Sequence, residues 1–341
     1  MKKFLAMILA LCMVFALCAC GQSAAPAQEP AAADAAPTEE AAAPAVDFPT
    51  KQISVICPYG AGGASDVISR LYAAGMETAT GVSVIVENKT GAGGAVGFEA
   101  TANAAADGYT LGYVSAEITT LKTLGNTDVA PEDFIFLGRV MQIPACVIVT
   151  KDSPFETLQD LIDAAKVEDA AVSVGTTNTG SFYHIGSLKL EQAAGVKFNN
   201  VPYAEGAASA IAALMGGEVD AATVGASECK SNVDSGEFRI LAVLADERCA
   251  TFPDAPTAKE LGYDAVSSTW GAFVCPKGTP DEIVAILREA TEAAINSEDM
   301  KNTLVERGFE HAYIPGAEFQ TIAEQLTVDN AQIINDFDLA A

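Results

Sequence analysis

The stretch Cys57 to Asp66, CPYGAGGASD, limits what this chain can become more than any other. It follows the short apolar run Ile53 to Cys57 and leads into a helical pattern, Ser65 to Thr80, spaced through Val67, Ile68, Leu71 and Met76. A strand, a turn holding Gly60, Gly62 and Gly63, and a helix start together leave several backbone N–H groups without partners above the strand end. Anions are the usual occupants of such a place. The loop suits either a cofactor phosphate in an enzyme or a carboxylate on a captured solute, and the rest of the chain has to choose.

The pattern repeats downstream. Val82 to Val86 reads as a strand, Gly91 to Gly94 as a second glycine loop, then a small-residue helix through Phe98, Ala102 and Ala105, then the strand Tyr109 to Val114. This is one wound α/β unit. After a loop-like Leu121 to Asp133, Phe134 to Val140 and Ala145 to Thr150 read as two strands parted by Pro144. A second unit opens with a helix capped by Thr157, with Asp160 three residues on as in a capping box. It continues with the strand Val172 to Val174, the hydroxyl-rich loop Gly175 to Ser181 and a helix from Tyr183 to Ala194. Strand and helix signals follow at Asn199 to Pro202, Ala208 to Met215, Ala221 to Val224 and Ile240 to Leu244. A strand returns at Trp270 to Cys275, and helices close the chain at Pro280 to Ile295, with Thr279 as N-cap, Met300 to Glu306 and Ala317 to Asn335. Two α/β units therefore each place a glycine- or hydroxyl-bearing loop at the carboxyl end of a strand, where ligands of open sheets bind.

Composition narrows the chemistry. The formal net charge of −26 leaves no basic face for nucleic acid, and its ordinary reading is a solubilising surface. Only His184 and His311 are present, so neither a histidine-rich metal site nor a catalytic base network is expected. The body carries Cys57, Cys146, Cys229, Cys249 and Cys275, none in C-x-x-C spacing; buried free thiols are the default, with one bridge possible and not readable from sequence. At the N-terminus, Lys2, Lys3 and the apolar run Phe4 to Leu17 read as a secretory signal. Leu17-Cys18-Ala19-Cys20-Gly21 resembles a bacterial lipobox, with Cys20 as the lipidated residue. Gln22 to Val46 is Ala, Pro and Glu, too poor in large apolar residues to fold, and reads as a tether.

The residues also resemble a family, the solute receptors of tripartite tricarboxylate transporters, also called Bug-type receptors. The matching motifs are Pro58-Tyr59-Gly60-Ala61-Gly62-Gly63 with Asp66 and Arg70, Val86-Glu87-Asn88-Lys89 with Gly91 to Gly94, and Asp107-Gly108-Tyr109-Thr110-Leu111. They continue with Thr179-Gly180-Ser181 and His184, Val201-Pro202-Tyr203, Gly216 to Asp220, Leu241-Ala242-Val243 with Arg248, Pro256-Thr257 with Glu260-Leu261-Gly262, and Pro276 to Pro280. The resemblance covers the whole body. It implies a two-lobe, type II-like periplasmic-binding-protein fold of the α/β class with the ligand cleft between lobes. The expected division is 1–19 signal peptide, 20–46 tether, 47–142 with 271–341 as a discontinuous lobe, and 143–270 as the other. The implied function is capture of a small organic carboxylate (a di- or tricarboxylate, an aromatic carboxylate or an amino acid) for a membrane permease, without cofactor or metal. The protein is expected as an exported monomer, lipid-anchored to the outer face of the bacterial membrane.

By that resemblance Tyr59, Gly60, Ala61, Gly62 and Gly63 supply amides and one aromatic wall, and Thr177, Thr179, Gly180 and Ser181 the opposing amides and hydroxyls. Asp66 reads equally as a ligand contact or as a first-turn acid favourable to the helix dipole. His184 reads first as a support of the hydroxyl loop, Tyr203 as a cleft wall or a strand end, and Arg70 as a local pair on its helix. Glu117 either faces solvent or steers the site towards amine-bearing ligands. Tyr59 stands where the family often has phenylalanine, and Glu205 where lysine is frequent, so ligand identity stays open. The main rival, an exported dinucleotide-binding enzyme, imitates Gly60-Ala61-Gly62 after a strand with Glu87 beyond, but has Ser65 for the third glycine and Pro58 at the junction. A hydrolase lacks a G-x-S-x-G context beside either histidine. A sensor or structural surface lipoprotein is the third alternative, and the paired loops argue against it.

Overall fold

The computed structural model describes residues 46–340 other than residue 170. The leader, Cys20 and nearly all of the tether lie outside the described residues.

The first elements are β1 (Ile53–Cys57), α1 (Ala64–Thr80), β2 (Val84–Asn88), α2 (Ala95–Ala102) and β3 (Thr110–Ser115). β1 is buried along nearly its whole length because it lies between β2 and β3, both parallel to it. α1 turns Ile68, Tyr72, Ala73 and Met76 into the core and ends at Gly81, whose left-handed conformation (φ 74°) lets its N–H reach Glu77 O. Then come β4 (Phe134–Thr150), α3 (Leu158–Val167), β5 (Ser173–Thr176), α4 (Phe182–Ala194), β6 (Asn199–Pro202), α5 (Ala207–Gly216), β7 (Ala221–Gly225), α6 (Lys230–Asp234) and β8 (Phe238–Leu244). The chain closes with β9 (Ser268–Pro276), α7 (Asp281–Ile295), α8 (Glu298–Glu306), β10 (Glu310–Pro315) and α9 (Gly316–Asp336).

Among the described residues the strands run β2-β1-β3-β9-β4-β7-β5-β6, with β10 and β8 also paired to β4. The central strand β4 carries both halves. Phe134 to Pro144 lies antiparallel to β9, and Ala145 to Thr150 antiparallel to β7 and β8. Each half has its own core. Tyr72 stacks on Phe273 at 3.5 Å between ring centroids in the first, and Leu158, Leu161, Ile162 and Leu241 meet in the second. Each such side chain contributes about 1.5–3 kcal/mol on burial.

Local expectations change at Pro144 and at Thr279. The two strands expected around Pro144 are one strand of 17 residues. Proline normally breaks a central strand because it has no N–H to donate. Here it sits where the strand exchanges partners: Pro144 O accepts from Ala226 N at 2.9 Å, and Ala145 N donates to Ser267 O at 2.9 Å. Thr279 does not cap the following helix. Its Oγ1 donates to Pro276 O at 2.8 Å, and Pro280 occupies the cap position. β10 carried no readable signal, since Glu310–Pro315 is half-exposed along most of its length and is a strand only through its pairing with β4.

Candidate functional site

The loop between β1 and α1 is held open from below. Asp66, 2 % exposed, accepts from Gly62 N at 2.9 Å and Arg70 Nε at 3.0 Å through Oδ2, and from Arg70 Nη2 at 2.9 Å and Asn88 Nδ2 at 2.8 Å through Oδ1. Asn88 Nδ2 also donates to Tyr59 O at 2.8 Å, so both ends of the glycine turn are pinned. The hydrogen bonds from Arg70, with those from Gly62 and Asn88, hold the Asp66 carboxyl down at about 2 despite its burial. Of the two readings of Asp66, the geometry favours neither ligand contact nor a bare dipole effect: its oxygens are committed to the loop and to Arg70. Gly62 takes φ +82°, which L side chains rarely adopt. Among the described residues, the N–H groups of Ala64 and Ser65, at the start of α1, have no acceptor within the chain.

Tyr59 leaves this loop sideways. Its hydroxyl lies 2.7 Å from Ser115 Oγ and 3.3 Å from Glu117 Oε2, and donates to Gly93 O at 3.4 Å. Burial, then the Glu117 charge, raises its pKa, so the phenol keeps its proton. A side chain at Gly94 would crowd this hydroxyl and Phe98, with a Cβ 3.1 and 2.9 Å away respectively. The second glycine loop thus receives Tyr59. Glu117 also accepts from Ser115 Oγ.

The loop between β5 and α4 is held by neutral groups. Thr177 Oγ1 and Ser181 Oγ are 2.6 Å apart, and Ser181 caps α4 by accepting from His184 N at 3.3 Å. His184, 6 % exposed, accepts from Gly180 N at 3.0 Å through Nδ1. Burial pushes its pKa down to about 4, so the ring is neutral near pH 7 and Nδ1 is free to accept. His184 therefore braces the loop. Thr179 is exposed, Gly180 takes φ +74°, and the N–H groups of Phe182 and Tyr183 have no acceptor among the described residues. Tyr203 stands apart from the hydroxyls: its N–H donates to Thr176 O at 2.9 Å, and its ring packs beside Gly175 and Glu218.

The two loops share a neighbourhood. A Cβ on Gly180 would lie 3.0 Å from Leu124, which follows β3, and Phe182 packs with Val114, Ala116 and Ile118. Tyr183 gathers charges from both halves: burial, then Glu228, with Glu117 also contributing, drive its pKa up. Glu228 follows the end of β7, is solvent-accessible, accepts from Gly225 N at 2.8 Å, and is nevertheless raised in pKa by the protein packed around its carboxylate. Ser115, Tyr183 and Glu228 were not singled out from sequence. Their signal was positional, since each lies at or just beyond the carboxyl end of a strand of the sheet.

Comparison with known proteins gives the family. The sequence model described as "Tripartite tricarboxylate transporter family receptor" matches residues 68–339. Protein BugT of Bordetella pertussis is 32 % identical over 266 residues, 76 % of this chain and 81 % of that one. A TctC solute-binding protein from Polaromonas, solved without ligand, superposes with a TM-score of 0.81 at 34 % identity, covering 85 % of this chain and 99 % of that one. A protein of R. palustris solved with adipate gives a TM-score of 0.66 at 27 % identity, covering 85 % and 98 %. The relatives are binding proteins, which removes the dinucleotide-enzyme and hydrolase readings. A chain with this two-part sheet, these paired strand-to-helix loops and a match over most of its length belongs to the tripartite tricarboxylate transporter receptor family of solute-binding proteins.

Proposed function

We propose that the protein captures a small organic carboxylate between the β1–α1 and β5–α4 loops and hands it to the membrane subunits of a tripartite tricarboxylate-type permease. The observation that carries this is the pair of helix starts with free amides, Ala64 and Ser65 on one side and Phe182 and Tyr183 on the other, each behind a braced loop. A helix N-terminus contributes about 0.3–2 kcal/mol to an anion, and each charge-assisted hydrogen bond about 1.5–3. A few such contacts outweigh the negative surface field, which salt screens over about 8–10 Å. The adipate in the R. palustris relative supports a carboxylate ligand.

In this reading residues 47–142 with 271–341 form one lobe and 143–270 the other. Closure turns on the paired segments Gln142 to Pro144 and Ser268 to Gly271, where β4 and β9 run side by side. The receptor works outside the cytoplasm as a monomer, tethered by lipid on Cys20. A melting-temperature screen of carboxylates tests the reading: a true ligand stabilises as RT ln(1 + [L]/Kd), about 2.7 kcal/mol at a hundredfold excess over Kd. Stabilisation by none of a broad set of mono-, di- and tricarboxylates and amino acids overturns it.

A second observation favours one class among those carboxylates. The charges of Glu117 and Glu228 both act on the Tyr183 phenol, and none of the side chains named around the loops other than Arg70, already paired with Asp66, is basic. A ligand with an amine beside its carboxylate, an amino acid, would meet those charges with its ammonium. Glu117→Gln should then weaken an amino acid about tenfold while sparing the des-amino acid of the same length; equal loss for both rules out this role of Glu117.

A further inference from the structure

Three thiols sit together in the apolar cluster between β4, β7 and α5, away from the loops that hold the ligand amides. Cys146, in β4 opposite Val224, and Cys229, at the cap of α6, are both 0 % exposed, and their sulfurs are 3.5 Å apart. Cys146 Sγ lies 3.5 Å from Val224 O and Cys229 Sγ 3.5 Å from Ala226 O, so both thiols point at the same turn. Cys249, 3 % exposed, belongs to the same cluster, whereas Cys275 lies in the core of the other half. Disulfide sulfurs are about 2.0 Å apart, so these two sulfurs, already in contact, have about 1.5 Å left to close.

We propose that Cys146 and Cys229 are a disulfide site, closed as the chain folds in an oxidising compartment. The bond would tie the turn from Gly225 to Cys229, which carries Glu228, to the strand shared by both halves of the molecule. Once folded, the thiols are out of reach of solvent, and closure belongs to the folding chain. A small-molecule disulfide such as oxidised glutathione serves as oxidant. One cysteine thiolate attacks it, releasing one glutathione thiolate and leaving a mixed disulfide; the second cysteine displaces the other glutathione. One Sγ–Sγ bond forms, one S–S bond breaks, and the protein pair loses two electrons and two protons to the two glutathione thiols.

The sequence makes the test clean, because trypsin places the three thiols in separate peptides: Val140 to Lys151, Phe198 to Lys230 and Cys249 to Lys259. The full chain is reduced in denaturant, refolded in a mixture of reduced and oxidised glutathione, alkylated, digested without reductant and mapped by mass spectrometry. The expected product is the peptide with Cys146 linked to the peptide with Cys229. It disappears on reduction and persists in Cys249→Ser. The oxidised protein should melt roughly 5 °C above the reduced one, and backbone amides from Gly225 to Cys229 should exchange more slowly. Folded protein with both cysteines alkylated overturns the proposal, as does a link from Cys146 to Cys249. Both results come from the unmutated chain, so an unstable variant does not obscure them.

Discussion

The loops that follow β1 and β5 are the same construction made with opposite chemistry. Each ends a strand, passes through a glycine in the left-handed region and starts a helix with unpartnered amides. At Gly62 the brace is a buried carboxylate that collects N–H groups from Gly62, Asn88 and Arg70. At Gly180 it is a neutral imidazole and a pair of hydroxyls. The amides presented are alike, but the first loop carries a negative charge close behind them, offset by Arg70, and the second carries none. The two helix starts are therefore alike, and the brace decides under which conditions each loop keeps its shape.

The two loops differ most at Asp66. Asp66→Ala leaves the Gly62 N–H and one Asn88 amide hydrogen without an acceptor and takes from Arg70 its carboxylate; because Arg70 is half-exposed, the expected loss is about 3 kcal/mol, measured by denaturant unfolding. Ligand binding should go with it. The corresponding weakness of the second loop is acid. His184 is neutral when folded, with a pKa near 4, and takes up its proton near 6.5 when unfolded, so between those values the unfolded state binds more protons and stability falls as pH falls. The loss is on the order of 2 kcal/mol and should be absent in His184→Gln. Asp66 gives a separate, lower window: its depressed pKa contributes stability that is complete above about 4 and lost as pH drops towards 2, a limb that Asp66→Asn should remove. Unfolding curves across pH that show no step between 6.5 and 4 would contradict the neutral brace.

A smaller effect on stability is expected from Gly62→Val. Nothing lies within 4 Å of the added Cβ, so the cost is backbone strain of about 1–2 kcal/mol. The protein should fold, yet calorimetry should find no binding of a ligand that stabilises the parent. Retained affinity would remove this loop from the site. Ser181→Ala is the mildest: it removes the α4 cap and the partner of Thr177, about 1 kcal/mol, with a reduction in affinity of a few fold.

Much of this is legible in the sequence. Periodicity located β1, α1, β5 and α4 to within a residue or two, because each has a regular apolar face and an end marked by glycine, serine or threonine. The Thr157 and Asp160 capping box stands as expected, since both of its partners are local. What failed was non-local. Pro144 looked like a strand break because its neighbours across the sheet, Ser268 and Ala226, are far away in sequence. β10 depends on β4 for its identity.

The same division runs through the candidate site. Sequence by itself determined the family, the two-unit α/β plan and the loops at the strand ends, because these rest on short-range patterns of glycine, hydroxyl and apolar residues. Tertiary structure alone decided what each residue does there. Asp66 and His184 became braces because Gly62, Asn88 and Gly180 stand within hydrogen-bond reach, Tyr59 was turned towards Ser115 and Glu117, and Glu228 was carried next to Tyr183. Hydrogen bonds and burial act over a few ångströms of space, and only the folded chain says which distant residues share them.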